Sequence, residues 1–504
     1  MLRPRIFGLS CAAPIALLCG PAMADLSAAQ VWDDWKQYLE GTGYTVEATE
    51  TARGDDVVVS DVTLSMATPE QDGSFSVTLG ELSFVQNGGD VDVMMPGSMP
   101  MTITGTGDAG KPFTAQVLYG QTGQKMTASG DPDAISYDYT ADSVSVTLDK
   151  LTVDGAEVGP DTAKVVIGGT GVTSKTTMTI GEMRDYAQTG AIEELTYDVN
   201  LLDMETQGTV AFTGGIKGVS FDGTGTIPLE SQGSDAAAMM NAGFAIDGSF
   251  DYESGATDMT VTDPEDGTFV SQSSSQGGNL SVRMGKDALG YAGEQRDVKV
   301  NMQVPQMPFP IDLQMARMGF NLLMPVSAQE APQDFEFGLA LADFTMSDML
   351  WSLFDPAAQL PRDPATIDIA LTGEAIVKAD IMDPEAAATS EAPAEVSALS
   401  IDKFLVDAVG TRLEGTGDVT FDNGDMVSYG GIPKPVGEVN VSLAGANALL
   451  DKLVAMGILP EQQAMGARMM MGMCAVPGQG EDTLTSKIEF NDQGQVLANG
   501  QRIK

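Results

Sequence analysis

The hydrophobic pattern changes period once, early in the chain. Over Asp25 to Gly41, DLSAAQVWDDWKQYLEG, the apolar residues Val31, Trp32, Trp35, Tyr38 and Leu39 fall on one helical face. Ser27 stands where a helix N-cap is wanted and Gly41 where a helix stops. From Val57 onward the period is two. Phe75, Val77 and Leu79 alternate with polar residues, as do Ile135, Tyr137 and Tyr139, then Val144, Val146 and Leu148. The pattern returns at Leu195, Tyr197, Val199 and Leu201, and at Phe335, Phe337, Leu339 and Leu341. Such alternation marks strands with one buried and one wet face. The wet positions hold mainly Ser, Thr and Asp, which predicts an antiparallel sheet. Asn87-Gly88, Asp154-Gly155 and Asn423-Gly424 supply hairpin dipeptides between runs.

Gly-Thr-Gly recurs at 105–107, 169–171, 223–225 and 415–417 beside alternating runs. No Gly-Lys-Ser/Thr and no helical pattern comes after them, so these glycines read as sheet architecture, bulges or sharp coiling, rather than phosphate loops. Two stretches punctuate the strands. GGNLSVRMGKDALGYAGEQ, after the Ser271–Ser275 cluster, reads as loop and then strand, and Asp383 to Glu395, DPEAAATSEAPAE, reads as an acidic Pro/Ala-rich linker or loop. After further strands, a helix over Ala444–Met456 ends at Gly457, a second opened by Pro460 runs to Cys474, and Asp492-Gln493-Gly494 turns the tail.

Before the helix, MLRPRIFGLSCAAPIALLCGPAMADLS has Arg3 and Arg5, an apolar run from Ile6 to Gly20 and an A-x-A site, predicting a signal peptide over 1–24 cut between Ala24 and Asp25. The apolar run is too short to span a bilayer, and no later stretch is long enough either. Leu17-Leu18 ahead of Cys19 is a poor lipobox, so a lipoprotein is not expected. The expected organisation is a leader (1–24), an N-terminal helix with a large β-rich body (25–382), the linker (383–395) and a C-terminal part of strands with a helical hairpin (396–504). The expected fold is mainly β with a few capping helices, a long curved antiparallel sheet, and the expected compartment is the periplasm.

Charge and residue counts remove whole classes of function. The chain has 26 basic and 71 acidic residues, net −45. Loss of the leader removes Arg3 and Arg5 and no acid. Nucleic-acid binding requires clustered Lys and Arg, and bare anionic lipid headgroups would repel such a surface. With no histidine at all, Ser-His-Asp and Cys-His catalysis and histidine-ligated zinc are excluded. Cys11 and Cys19 leave with the leader, so only Cys474 remains and no intramolecular disulfide forms in the mature chain. The carboxylate-rich turns Asp131-Pro-Asp133, Asp263 to Gly267 and Asp422 to Asp425 lack the spacing of a calcium loop and fit ordinary turn chemistry. Met465, Met469 and Met473 lie at i, i+4 and i+8 ahead of Cys474, a pattern that soft copper(I) would accept. With 30 methionines in the chain, the plainer expectation for them is core filling. No cofactor is expected.

The most distinctive segment is SDMLWSLFDPAAQLPRDP, Ser347 to Pro364. It reads as a helical plug over a sheet end, with Ser347 as cap, Met349, Leu350, Leu353 and Phe354 as its apolar face, and Pro361 and Pro364 holding the return path extended. Trp351 is expected either buried there or offered to a partner or ligand. Arg362 beside Asp363 either steers an anionic group or forms a local ion pair.

Residues 334–373, DFEFGLALADFTMSDMLWSLFDPAAQLPRDPATIDIALTG, and the stretch from LLDKLVAMGILPEQQAMGARMMMGMC onward, together with the leader and the Trp32–Trp35 helix, resemble the alphaproteobacterial family called domain of unknown function 2125. That resemblance implies an exported, β-rich protein without an assigned activity. More remotely, strand runs punctuated by Gly-x-Gly and closed by a helix pair are similar to AsmA-like envelope proteins, whose curled sheets are associated with lipid handling. The expected function is a non-enzymatic envelope protein that binds an apolar ligand, such as lipid, or an envelope protein partner. The alternatives are a structural β-protein with a self-filled core and a carboxylate-based glycan hydrolase.

Overall fold

A computed structural model describes residues 25–68, 73–106, 111–159, 162–203, 206–229, 236–389 and 392–504. The leader and its Ala24 lie outside the described residues, as does Gly107 of the first Gly-Thr-Gly. Asp25 is the first described residue, exposed just ahead of the fully buried Leu26.

Helix α1 (Ala28–Gly41) forms where the pattern places it, and its start is closed by a reciprocal capping box. The Gln30 amide N–H donates to Ser27 Oγ at 3.4 Å and the Ser27 amide N–H donates to Gln30 Oε1 at 2.9 Å. Val31 and Trp32 are buried, and Trp35 meets Phe84 edge-on with ring centroids 5.4 Å apart. The apolar face departs from expectation at its far end, where Tyr38 is exposed and the acidic Asp34 is buried instead. Around α1 lies a hydrophobic core made by Val59, Val62, Phe84, Val91, Val93, Ile135 and their neighbours, all from the first part of the chain.

Every described strand joins one antiparallel sheet of 28 strands. At several places the ladder forks, with a long strand bordering two shorter ones laid end to end. Thr209–Pro228 pairs along one half with Ser254–Asp263 and along the other with Ala245–Tyr252. Gly267–Ser275 and Gly278–Met284 sit in the same way against Ala288–Gln303. The start of GGNLSVRMGKDALGYAGEQ is therefore strand from Gly278 and not loop, a correction to the expectation for that stretch. The small side chains of the Ser271–Ser275 strand before it suit a crowded position, where the Ser275 hydroxyl bonds Tyr252 Oη at 2.8 Å. Beyond the fork the strands succeed one another in chain order from Ile311–Pro325 to Thr483–Phe490, apart from the two-residue strand Val476–Pro477.

Five further helices among the described residues decorate the sheet: α2 (Ala236–Asn241), α3 (Asp348–Trp351), α4 (Pro384–Thr389), α5 (Ala446–Ala455) and α6 (Glu461–Cys474). The acidic segment holding α4 connects two strands that pair directly, Ala365–Val377 and Ala394–Ala408. Asn423-Gly424 does not make a tight hairpin. It opens a longer connection to Lys434–Ala444, with Asn423 donating to the Val396 carbonyl at 2.9 Å.

A line of left-handed residues crosses the long strands at mid-height: Asp61, Gly171, Gly218, Asp297 and Asp343, with φ of 53°, 59°, 61°, 48° and 52°. At each, the strand changes which parity faces inward. Phe212 and Ile216 precede Gly218 on even numbers, and Val219, Phe221 and Ile227 come after it on odd ones. Side chains alternate strictly along a strand, so one residue in the left-handed region resets the phase and keeps the apolar residues of both halves on one face. Asp142 lies opposite Gly171, and Glu193 lies between Gly171 and Gly218.

Candidate functional site

Paired residues in an antiparallel ladder share a face, so the ladder can be traced across the sheet. One transverse row runs Gly190, Phe221, Phe250, Leu280, Gly293, Phe320, Leu339, Ile369, Phe404, Gly415 and Val441. Apolar side chains and glycines alternate along parts of this row for a steric reason. A Cβ on Gly190 would lie 2.3 Å from the Phe221 ring, and one on Gly293 would lie 2.9 Å from the ring of Phe320. Neighbouring rows are equally apolar, with Leu322 opposite both Tyr291 and Phe337. The opposite face is charged: Asp368 accepts from Arg317 at 3.1 Å and from Lys403 at 2.6 Å, and Asn321 bonds Glu336 at 2.8 Å.

This apolar face is open. Phe320 is 48 % exposed and Phe337 43 % exposed, and Leu280, Tyr291 and Leu322 are exposed with them. None of the described helices lies over these residues in the way that α1 covers the core around Phe84. A groove of about 550 Å³ runs along it, lined by Tyr197, Ile216, Phe250, Tyr252, Met318, Phe320, Leu339 and Leu341. Tyr197 and Leu341 belong to strands several places apart in the ladder, so the sheet curls to bring them to one groove. Polar groups sit at its edge, where the Tyr197 and Thr257 hydroxyls bond each other; Glu294, the only acidic residue among the described residues of the lining, turns its carboxylate to Arg317 on the charged face, 3.6 Å away.

The Ser347–Pro364 segment closes one sheet end, as expected, but with its faces reversed. Trp351 is 8 % exposed, whereas Met349, Leu353 and Phe354 of the expected apolar face are exposed. One turn of helix buries only one direction, and Asp355 takes the inward place. Asp355 is fully buried, accepting the Gln359 and Leu360 amide N–H groups at 2.9 Å each. Burial pushes its carboxyl up, but those two N–H donors and the nearby Arg362 charge outweigh it and hold it below the usual carboxylate range. Ser347 occupies the cap position without making the cap bond; its own N–H instead ties the turn to the Asp312 carbonyl at 3.0 Å. Arg362 pairs with Asp348 rather than with Asp363, and its guanidinium lies 5.8 Å from the centroid of the Trp351 ring. The segment therefore brings Trp351 and Arg362 together as packing, away from the aromatic groove.

Two of the carboxylate-rich turns are occupied by their own neighbours in the chain. Asp263 accepts from the Glu265 and Asp266 amides, which lower its carboxyl, and Asp425 accepts from both the hydroxyl and the amide of Ser428, with the same result. Among the described residues no group of three or more Asp, Glu, Cys or His side chains converges as metal ligands. The methionine stripe of α6 corrects its expectation. Met465, Met469, Met470 and Met473 are 65, 66, 64 and 59 % exposed, so they fill no core in the chain.

Among the described residues no helix is long and apolar enough to cross a membrane. The groove residues Phe320, Phe250 and Leu280 carry no mark of their own in the sequence. Their alternation marks a strand face, but nothing in one strand tells whether another layer covers that face. No curated protein and no solved structure matches the chain. Residues 191–503 match the family model described as uncharacterized protein conserved in bacteria, DUF2125, and since that span is more than half of the 504 residues, the protein belongs to this family.

Proposed function

We propose that the protein is an exported, non-enzymatic binding protein whose open sheet face takes an elongated apolar ligand, an acyl chain or a molecule of like shape. The observation that carries this reading is the uncovered row through Leu280, Phe320, Leu339 and Ile369. An apolar face needs a second layer, a curl or a ligand to keep it from water, and here the curl leaves a groove of about 550 Å³. That size and an apolar, aromatic lining with a few polar groups at the rim suit a small apolar ligand. The leader-like first 24 residues support export. The hydrolase alternative finds little support in this groove, because Glu294, the one acidic residue among the described residues of its lining, turns its carboxylate to Arg317 on the opposite face.

The test is organic extraction of the protein purified from its exported fraction, coupled to mass spectrometry and to titration with a fluorescent fatty acid. Co-purifying lipid, or saturable uptake abolished by Phe320→Asp, is the expected result. A ligand-free protein whose fluorescence response is nil, or unchanged by Phe320→Asp in a correctly folded variant, would overturn it.

A further inference from the structure

We propose that α6 carries a site for a soft monovalent cation, copper(I) or silver(I), built from the thioethers of Met469, Met470 and Met473. The helix uses its residues against the ordinary logic of an amphipathic element. Its packed side is made mostly of small residues, Ala464 at 1 % exposure with Gly466 and Ala467 half-buried, and of its methionines only Met471 shares that cover, while Met465, Met469, Met470 and Met473 face water. α6 is held to α5 by the Arg468–Asp451 ion pair at 2.5 Å, so the exposed side is the one turned from its partner helix. Exposed bulky residues on one helix face call for an explanation, because burial is where such side chains stabilise. Leucine would serve a purely apolar surface better, having higher or equal helix propensity and a stiffer side chain. The feature that methionine alone adds is a sulfur lone pair.

The spacing puts those sulfurs together. Met469 and Met473 are one turn apart at i, i+4, and Met470 and Met473 at i, i+3, so the three share one patch of helix surface. Met465 extends the patch by a turn. Cys474, a free and partly buried thiol, is i+4 from Met470 at its border. Thioether and thiolate donors select monovalent copper over harder cations, and three flexible methionine side chains satisfy a low coordination number without moving the backbone.

The experiment titrates the full-length mature protein, thiol reduced, with silver(I) and with copper(I) held by a competing chelator, while the methionine methyl groups are monitored by NMR. One tight equivalent is expected, shifting the methyl signals of Met469, Met470 and Met473 and leaving the groove methionine Met318 unmoved. The variant M469L/M470L/M473L keeps the helix and its apolar surface, and is expected to lose that equivalent. Cys474→Ala is expected to retain the methionine shifts. The proposal is overturned if the triple variant binds as the parent does. It is also overturned if neither ion competes with the chelator, or if binding vanishes with Cys474→Ala and the methionine signals never move, the mark of a lone thiol.

Discussion

Asp34 of α1 and Arg184 of the strand Met183–Leu202 meet in the interior as an ion pair 2.7 Å long, each side chain less than a tenth exposed. Tyr137 Oη donates to the other Asp34 oxygen at 3.1 Å and itself accepts from Trp35 Nε1 at 3.1 Å. Burial, with the Asp34 charge beside it, raises the Tyr137 phenol far above its usual range, so it stays a donor at any physiological pH. Breaking one half of a buried pair strands the other charge, which costs about 3–5 kcal/mol, whereas replacing both halves by apolar residues is often neutral. Asp34→Ala and Arg184→Met are each expected to lower stability by that amount in denaturant unfolding, and Asp34→Leu/Arg184→Met to recover most of it. If the double variant is as unstable as the sum of the singles, the pair is not the latch between helix and sheet.

Trp351 separates packing from partner binding at the plug. Its ring is buried, with the Phe354 centroid 5.0 Å away. Trp351→Ala is therefore expected to cost roughly 3–5 kcal/mol, the range for a core aromatic. Leu353→Ser and Met349→Ser, at exposed positions of the same turn, are expected to stay within about 0.5 kcal/mol. Thermal unfolding of the three variants checks this, and a stable Trp351→Ala would move the residue from the packing to the binding surface.

Much of this architecture was legible in the chain. Ser27, Gly41, Gly457 and Pro460 mark helix ends because capping is local chemistry, and the alternating runs became strands. The phase change between Tyr139 and Val144 is visible too, odd numbers giving way to even. Gly225 illustrates why the Gly-Thr-Gly signal is architectural: a Cβ there would lie 2.5 Å from the Tyr186 ring. What could not be read is whatever depends on distant partners. Asp34 looks like a surface residue until Arg184 arrives from 150 positions away, and Phe320 looks like core until no described layer covers it. The methionines of α6 share the periodicity of core residues, and only the docking of Ala464 shows which way the helix is turned.

The mid-height line of left-handed residues makes a different prediction at each of two kinds of position. A non-glycine residue in that region costs roughly 1–2 kcal/mol, less for Asp, which visits it more readily. Gly218→Ala, at φ 61° with its added Cβ 2.4 Å from Glu253 Cγ, is expected to lose about that much. Asp297→Gly, at φ 48°, relieves strain while loosening the unfolded chain, so a net change under about 1 kcal/mol is expected. Inserting one alanine after Gly218 is a harsher test, because it turns Val219 and Phe221 to the wet face and is expected to leave the protein insoluble. A soluble, folded insertion variant would mean that the left-handed residue does not set the phase.

Acid should loosen the C-terminal helix pair. Asp482, on the loop before Thr483–Phe490, caps α5 from a distance: its carboxylate accepts the Ala448 amide at 3.0 Å, the Asn447 amide at 3.3 Å and the Asn447 side chain at 2.7 Å. Burial raises this carboxyl, but those donors and Arg468 outweigh it, so it titrates below its ordinary value. The unfolded chain then takes up the proton more readily than the folded one. The stabilisation is present above an unfolded carboxyl pKa of about 3.9 and is lost as pH falls through the lower folded value. Methyl signals of Met465 and Met469 report the outcome, because α6 leans on α5. They are expected to broaden or shift as pH drops below about 4, and much less so in Asp482→Asn, whose amide oxygen can still accept but carries no titrating charge. Asp482→Ala removes the cap at every pH and is expected to cost about 1 kcal/mol at neutrality. An acid transition of the α6 signals that is unchanged in Asp482→Asn would assign the loosening to another carboxylate.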